Sequence, residues 1–246
     1  MEILLRNELI SNGFKMSIDE KRLLFLAMSK IHLKTLVDSE EVKARVSVSE
    51  WVELYKEDKK KDAKHCYRDM KEAARELMHR TIEIGKKSQF YKHYDIINIT
   101  DSCRYVDNEA IVVITFARSF LKCLYIENGN FTPVCLGNIS KLSSSSSCTI
   151  YLLLTRWLHS NEYPYIDISI YDIKKTLGIE KKYPIYSDFK KRVIDPCMED
   201  INKNTDLFFY YYPIKTKQKI THYRFSVKKS EEQTQLELKN FQLKGE

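Results

Sequence analysis

The spacing of apolar residues predicts a helix near the start of the chain. Over Ser17–Ile31 apolar residues recur about once per turn, and Ser17 with Glu20 makes a capping box, a pattern typical of helix starts. The alternating stretch VKARVSV then predicts a strand, which leads into a short helix over Val48–Tyr55. The candidates for the cap of that helix are Ser47 and Ser49.

A lysine-rich break, KEDKKKD, separates this short helix from a longer one. The longer helix is predicted over Asp62–His79, where apolar residues again recur at helical spacing. Three β-like stretches follow, RTIEIG, YDIINIT and AIVVITF, with KKSQFYKH between the first two. The first half of the chain therefore contains both helices and strands.

The same order of elements returns after Lys141. The second set comprises an apolar helix over Thr149–His159, the strand YIDIS, a short helix over Tyr171–Leu177 stopped by Gly178, a long helix over Ser187–Asn204, and a hairpin turning at Thr216–Lys219. The halves align at an offset of about 120 residues, in pattern and with little identity. Each unit has the order of a winged helix-turn-helix. The sequence therefore predicts an α+β fold of two tandem winged-helix domains.

The predicted domains are residues 1–137 and 138–230, followed by a polar tail over residues 231–246. Five consecutive serines, Ser143–Ser147, lie where the first helix of the second unit should begin. We interpret one of them as the cap of that helix, because serine side chains bond free backbone N–H groups. A flexible spacer is the alternative interpretation. With a cap there, the segment PVCLGNIS is the preferred joint between the domains.

Composition limits the kinds of chemistry that the chain can carry. No apolar run approaches the ~20 residues that span a bilayer, and the first ten residues lack a signal-peptide pattern, so a cytoplasmic protein is expected. The six cysteines form no CxxC pair and have no histidine at ligand spacing. They are interpreted as reduced, mostly buried thiols, and neither a metal nor a cofactor is expected.

Catalytic motifs are also missing from the sequence. There is no GxxxxGK[ST] and no GxSxG, and no two histidines lie two residues apart. The carboxylate pairs Glu40/Glu41 and Glu231/Glu232 lie in polar segments that would not shift a pKa usefully. The sequence therefore argues against an enzyme.

The positive charge is concentrated in one window. Residues 181–229 carry 12 Lys and Arg against 5 Asp and Glu, a difference equal to the net charge of +7 for the whole chain. Residues 1–140 carry 23 against 21. A nucleic-acid surface in the second unit is the functional interpretation. An AT-rich gene that favours lysine codons is the alternative.

The long helix of each unit carries candidate DNA contacts. In the first unit they are Lys64, Arg68, Lys71 and Arg75, which line one helical face, while Tyr67, Met70, Ala74 and Leu77 line another. In the second unit they are Lys190, Lys191 and Arg192, together with Ser187, which is also the expected cap. Nearby acids keep a second interpretation open, in which both sets are solvated, ion-paired surface. Pro196 predicts a kink in the second helix.

Basic residues in the predicted wings, and in the break before the second long helix, complete the candidate set. They are Lys86 and Lys87, with Lys92 and His93, in the first unit, and Lys181, Lys182, Lys215, Lys217 and Lys219 in the second. Phosphate contact is the functional interpretation and solubility the alternative, because hairpin tips are often rich in lysine.

Two motifs resemble the initiator Rep proteins of theta-replicating, iteron-containing plasmids. The first is RNELISNGFKMSIDEKRLLFLAMSKI, where an Asn-x-Leu precedes a helix that begins Ser-x-x-Glu-Lys-Arg-Leu, and the second is DFKKRVIDPCMEDIN. The resemblance covers about residues 5 to 228 and includes Pro196. It implies two winged-helix domains, each placing its long helix in the major groove at one end of a repeated origin sequence.

The resemblance also implies partners. Such proteins bind direct repeats as monomers, form dimers through the first domain on an operator at their own promoter, and recruit the host initiator and replicative helicase without cutting DNA. A plasmid replication initiator is therefore the leading hypothesis. A winged-helix transcriptional regulator without a role in initiation is the second, and a scaffold whose winged helices bind protein is the third.

Overall fold

The computed structural model describes residues 1–12, 14–31, 41–55, 63–84, 95–124, 130–160 and 165–230, without the side chains of residues 63 and 64. The chain divides into two compact units, residues 1–141 and 142–246. Three features of the sequence lie outside the described residues: the KEDKKKD break, the KKSQFYKH segment and the tail over residues 231–246.

The first unit is a mixture of helices and short antiparallel strands. Its described elements are, in order, β1 (Glu2–Arg6), α1 (Asn7–Asn12), α2 (Ile18–Met28), β2 (Lys43–Ser47), α3 (Val48–Leu54), α4 (Ala63–Leu77), β3 (Thr81–Ile84), β4 (Asp95–Asn98), β5 (Thr100–Val106), β6 (Ile111–Phe116), α5 (Arg118–Leu124), β7 (Phe131–Cys135) and α6 (Leu136–Lys141). The strands pair as a three-stranded sheet in the order β2-β6-β5 and as two two-stranded sheets, β1-β7 and β3-β4.

The capping box predicted for α2 is present and is tied to a later strand. The Ser17 hydroxyl accepts from the Glu20 backbone N–H at 3.2 Å, and the Glu20 carboxylate accepts from the Ser17 N–H at 2.7 Å. Glu20 is 1% exposed and also accepts from Arg80, which directly precedes β3, at 2.5 and 3.2 Å. This carboxylate therefore caps α2 and joins it to the end of the α4 region.

Several features of the first unit were not predicted, among them the strands β1, β5 and β7. Strand β1 pairs antiparallel with β7, so that Glu2 lies opposite Cys135. Strands β3 and β4 form a sheet of their own, inserted before the β5-β6 hairpin. The hairpin in the sheet that contains β2 is therefore β5-β6, and its turn lies at residues 107–110. The predicted wing residues Lys86, Lys87, Lys92 and His93 lie outside the described residues.

The second unit repeats the core of the first. Its described elements are α7 (Ser145–Ser160), β8 (Tyr165–Ser169), α8 (Ile170–Leu177), α9 (Tyr186–Phe189), a π-turn (Lys190–Ile194), α10 (Asp195–Asn204), β9 (Leu207–Thr216) and β10 (Lys219–Lys229). Its sheet order, β8-β10-β9, matches β2-β6-β5, with a helix following the first strand in both units. Ser47 and Ser169, 122 positions apart, each cap that helix. The predicted duplication is confirmed by this shared topology.

The serine run starts a helix. The Ser144 hydroxyl accepts from the backbone N–H of Ser147 at 3.0 Å, so Ser144 caps α7. Just before it, the backbone N–H and hydroxyl of Ser143 donate to Asp200 of α10 at 3.0 and 2.9 Å. The cap interpretation is therefore confirmed. The segment Pro133–Ser140, interpreted as the joint, belongs to β7 and α6, and the division between the units falls after Lys141.

Pro196 interrupts the long helix of the second unit through a π-turn. Proline has no N–H to donate, and its ring would clash with the carbonyl four residues earlier in a regular α-helix. The turn before it is widened, because the Asp195 N–H donates to the Lys190 carbonyl, five residues back. The predicted disruption at Pro196 is therefore a π-turn over Lys190–Ile194.

The free edge of β9 is closed at two points. The Asn202 side chain donates to the Phe209 carbonyl at 2.9 Å and accepts from the Phe209 N–H at 2.8 Å, as a neighbouring strand would. Pro213, four residues further along β9, has no N–H to offer. An unprotected edge strand can pair with other chains, so these residues protect the hairpin from aggregation.

The cysteines and the helices bear on two expectations from composition. All six cysteines are free thiols, but only Cys148 and Cys197 are buried and the other four are half-buried, so the expectation of mostly buried thiols was wrong. In the described part of the chain no helix is both long and apolar enough to cross a membrane.

Candidate nucleic-acid interface

The long helix of the second unit starts at the end of the sheet that carries the wing. The ring of Tyr186 lies 5.9 Å from that of Tyr223, which is paired with Pro213 of β9. Further along the helix, Asn202 reaches Phe209, so the helix runs antiparallel to β9. The wing turn begins three residues beyond Pro213, about 10 Å away at ~3.3 Å per residue. The start of the helix and the wing therefore lie at the same end of the unit.

The core side of this helix is the one that the sequence predicted. Phe189, Val193, Cys197 and Ile201 are all at most 5% exposed. Phe189 packs against Tyr223, with ring centroids 6.4 Å apart. The helix is therefore held by its apolar side, which leaves Lys191 and Arg192 exposed to solvent.

Lys190 differs from the two cations that follow it. Its Nζ lies 3.0 and 2.8 Å from the two carboxylate oxygens of Asp195 and 5.8 Å from the centre of the Tyr211 ring. The Tyr211 hydroxyl donates to the same carboxylate. The hydrogen bond to Asp195, followed by that to Tyr211, raises the pKa of Lys190 above its ordinary value. Lys190 is therefore already engaged within the protein.

Seven predicted contacts of the second unit are exposed and have no acidic partner within 4 Å among the residues that the structure describes. They are Lys181, Lys182, Lys191, Arg192, Lys215, Lys217 and Lys219. The alternative interpretation, in which Lys191 and Arg192 pair with nearby acids, does not hold for Asp195, because that carboxylate is taken by Lys190 and Tyr211. These seven residues, here called the free cations, belong to the turn before the helix, its first half and the wing.

Ser187 does not cap the helix as expected. The helix begins at Tyr186, its cap position is Ile185, and no side chain bonds the free N–H groups there. Ser187 lies inside the first turn, exposed to solvent. The first turn therefore keeps backbone donors that a capping side chain would otherwise occupy.

The basic stripe of the first unit has the predicted exposure but is ion-paired. Arg68, Lys71 and Arg75 are exposed on α4, and Met70, Ala74 and Leu77 are buried. Each described cation has an acid within reach. The pairs are Arg68–Asp69 at 3.6 Å, Lys71–Asp107 at 3.4 Å and Arg75–Glu72 at 3.4 Å. The alternative of a salt-laced surface therefore describes this stripe.

The turn of the first unit's hairpin is acidic, unlike the wing of the second. Asp107 and Glu109 lie in it, and they pair with Lys71 and with Arg45, the latter at 2.8 Å. The side chain of Lys64, and the whole of Lys86 and Lys87, lie outside the described residues. Charge complementarity to phosphate is therefore clearest in the second unit.

The residues of both motifs serve the fold. At Asn7 the backbone N–H donates to the Asn130 carbonyl at 2.9 Å, and the side chain accepts from the buried Thr132 hydroxyl at 2.6 Å. The Arg22 guanidinium lies 4.7 Å from the centre of the Tyr55 ring. In the second motif Asn202 closes the β9 edge. Each motif therefore helps to hold the framework of its own unit.

Comparison with known protein families finds two adjoining matches. Residues 2–155 match the domain described as "Initiator Replication protein, WH1", and residues 169–227 match the one described as "Initiator Rep protein, WH2". The chain belongs to the initiator replication protein family. The two matches confirm the predicted pair of winged-helix domains, and this DNA-binding family is not one of enzymes, as the missing catalytic motifs predicted.

The individual proteins that match this chain share low sequence identity with it. The chain is 26% identical over 144 residues to the PI protein of Escherichia coli, an alignment that covers 52% of this chain and 47% of that protein. It therefore spans about half the length of this relative. A crystal structure of the WH1 domain of MSBI1.176, a replication protein isolated from a multiple sclerosis patient, matches 48% of this chain and 87% of its own at 19% identity, with a TM-score of 0.38.

Proposed function

We propose that this protein starts plasmid replication by binding direct repeats at the origin, with the second unit as the main reader of DNA sequence. The observation that carries the proposal is the set of seven free cations around the start of the helix and the wing. A helix in the major groove reads base edges from its first turns, and a wing contacts the backbone beside it.

Electrostatics favours the second unit over the first as the main DNA-binding surface. A cation that is already paired must lose its partner before it neutralises a phosphate, whereas a free one releases DNA counterions directly. Lys191 and Arg192 are free, and Lys71 and Arg75 are paired. The first unit is proposed to contact the other end of each repeat with lower affinity.

The test is binding of the full chain to DNA from beside its own gene. Fluorescence anisotropy would compare a duplex that carries the direct repeats with a scrambled duplex, across a salt series. We expect binding at least ~10³-fold tighter on the repeat, with a salt slope equivalent to several phosphates. Equal and weak binding to both duplexes would contradict the proposal and favour the protein-binding scaffold.

The wider role that we propose follows from the family. It comprises origin opening, recruitment of the host initiator and replicative helicase, and a monomer in equilibrium with a dimer, made through the first unit, that represses its own promoter. Footprinting tests the repressor part, because a dimer should protect an inverted repeat at the promoter and a monomer should protect direct repeats at the origin. Protection of the inverted repeat alone would favour the transcriptional regulator.

A further inference from the structure

Three side chains join the π-turn to the wing strand. Lys190, at the start of the turn, and Asp195, at its end, share two hydrogen bonds of 3.0 and 2.8 Å. Tyr211 of β9 donates its hydroxyl to the same carboxylate, which thereby accepts from both elements. The Tyr211 ring is itself fixed edge-on against the fully buried Tyr223 at 5.0 Å. Lys190, Asp195 and Tyr211 are called the junction cluster below.

The pairing of Lys190 with Asp195 depends on the π-turn. In a regular α-helix, residues five positions apart point about 140° away from each other, so their side chains do not meet. Widening the turn to a five-residue hydrogen bond brings these two positions onto one side. The same turn accommodates Pro196, which directly follows Asp195.

The junction cluster also controls the two exposed cations within the turn. Lys191 and Arg192 lie between Lys190 and Asp195, and their direction depends on how far the turn is widened. A change from the π-turn to α geometry would rotate the preceding turn by about 100° relative to α10. The cluster resists that change, because Asp195 is hydrogen-bonded both to Lys190 of the turn and to Tyr211 of β9.

We propose that Lys190, Asp195 and Tyr211 are positioning residues that fix the direction of Lys191 and Arg192, and that Lys190 is not itself a DNA contact. The inference rests on the proposed function, since it concerns how the same helix reads DNA. Lys190 was predicted from the sequence as a contact, but its ammonium group is occupied by Asp195. Breaking the cluster should therefore reduce discrimination between sequences more than it reduces attraction to phosphate.

The test uses a double variant that leaves the net charge unchanged, K190M/D195N. We expect its affinity for the repeat duplex to fall about tenfold, the loss of about one base contact, with the salt slope and the affinity for scrambled DNA unchanged. The control K191M should lower the slope by about one. A drop of one in the slope for K190M/D195N, equal on both duplexes, would show that Lys190 contacts phosphate and would overturn the proposal.

Y211F provides a second variant that retains all charges. It removes one hydrogen bond to Asp195 and should lower the preference for the repeat in the same direction, by a smaller factor.

Thermal unfolding of K190M, D195N and the double variant tests the cluster without DNA. The double variant should lose less in Tm than the two single losses added together. Additive losses in Tm would show that Lys190 and Asp195 do not act together and would overturn the proposal. A wild-type protein that binds the repeat and the scrambled duplex equally would overturn only the proposed function.

Discussion

Lys217, in the wing turn, has a backbone conformation that is more favourable for glycine. Its φ of 58° lies in the left-handed region, where a side chain beyond Cα costs about 1 to 2 kcal/mol. The turn between β9 and β10 is nevertheless occupied by a lysine whose charge is free. A functional residue at a strained position is a pattern common at binding sites.

Lys217→Gly should therefore make the protein more stable and weaken its binding to DNA. We expect the free energy of unfolding to rise by about 0.5 to 1 kcal/mol, because the strain relieved exceeds the added entropy of the unfolded chain. The salt slope of DNA binding should fall by about one. Urea unfolding and anisotropy measure the two effects. Lys217→Met is the control, and an increase in stability for that variant too would show that charge, not φ, is the cause.

Asn202 is the residue on which the β9 edge depends. Asn202→Ala should lower the free energy of unfolding by about 2 kcal/mol, because the Phe209 N–H and carbonyl both lose their partner. It should also promote aggregation through the opened edge. Asn204→Ala is the matched control, since its side chain donates to Asp200 of the same helix, at 2.8 Å, and not to β9 among the residues that the structure describes. Equal losses for the two variants, measured by urea unfolding and light scattering, would contradict this role.

Single residues were predicted well where the cause is local. The Ser17–Glu20 capping box follows from four adjacent residues, and Gly178 ends α8 in the left-handed conformation as expected. The cap expected at Ser187 is absent, and the ion pair of Lys190 with Asp195 was not predicted. The engagement of Lys190 depends on Tyr211, 21 positions away and on another element, which sequence spacing does not reveal.

At the scale of elements, Glu20 couples α2 to the end of α4 through Arg80. Burial raises the pKa of Glu20, but hydrogen bonds from Arg80 and Ser17 outweigh it, so the pKa lies below its usual value of 4.5. A depressed carboxyl pKa stabilises the fold above the unfolded-state pKa, and that stabilisation is lost as pH falls through the folded-state value.

Glu20→Gln should therefore flatten the acid limb of the stability curve. We expect the variant to be about 2 kcal/mol less stable than wild type at pH 7, since a buried charged partner of Arg80 is removed. The difference should shrink as pH falls below about 4.5, where the wild-type carboxylate takes up its proton. Urea unfolding between pH 3 and 7 measures it, and parallel curves for the two proteins would argue against the ion pair.

The π-turn has a signature in the sequence that becomes clear with the structure. Phe189, Val193, Cys197 and Ile201 recur every fourth residue, and over those twelve residues a regular α-helix would rotate the last about 120° from the first. A π-turn absorbs one residue and reduces that drift to about 20°. A strict four-residue spacing beside a proline therefore predicts the widened turn.

Elements with distant partners escaped prediction. Strand β1 pairs with β7 across some 125 residues of chain, and no local pattern identifies that partner. Strands β3 and β4 were recognised as strands, but their separate sheet was not predicted, because alternation shows that a segment is extended and not which neighbour it pairs with.

At the scale of the whole molecule, two units with one topology differ in charge. The sheet orders β2-β6-β5 and β8-β10-β9 are the same, but the first hairpin turn is acidic and the second is a lysine-bearing wing. The charge window at residues 181–229 indicated this difference from composition alone. Which cations are free could not be predicted, because pairing depends on distances that the fold sets.

The most direct test of sequence recognition by the second unit removes two charges from each unit and compares the effects on DNA binding. K191M/R192M in the second unit should lower the salt slope by about two and reduce the preference for the repeat at least ~10-fold. K71M/R75M, in the paired stripe of the first unit, should lower the slope by less than one and leave the preference nearly unchanged. Anisotropy on repeat and scrambled duplexes measures both. The opposite ranking of the two variants would contradict the assignment of sequence recognition to the second unit.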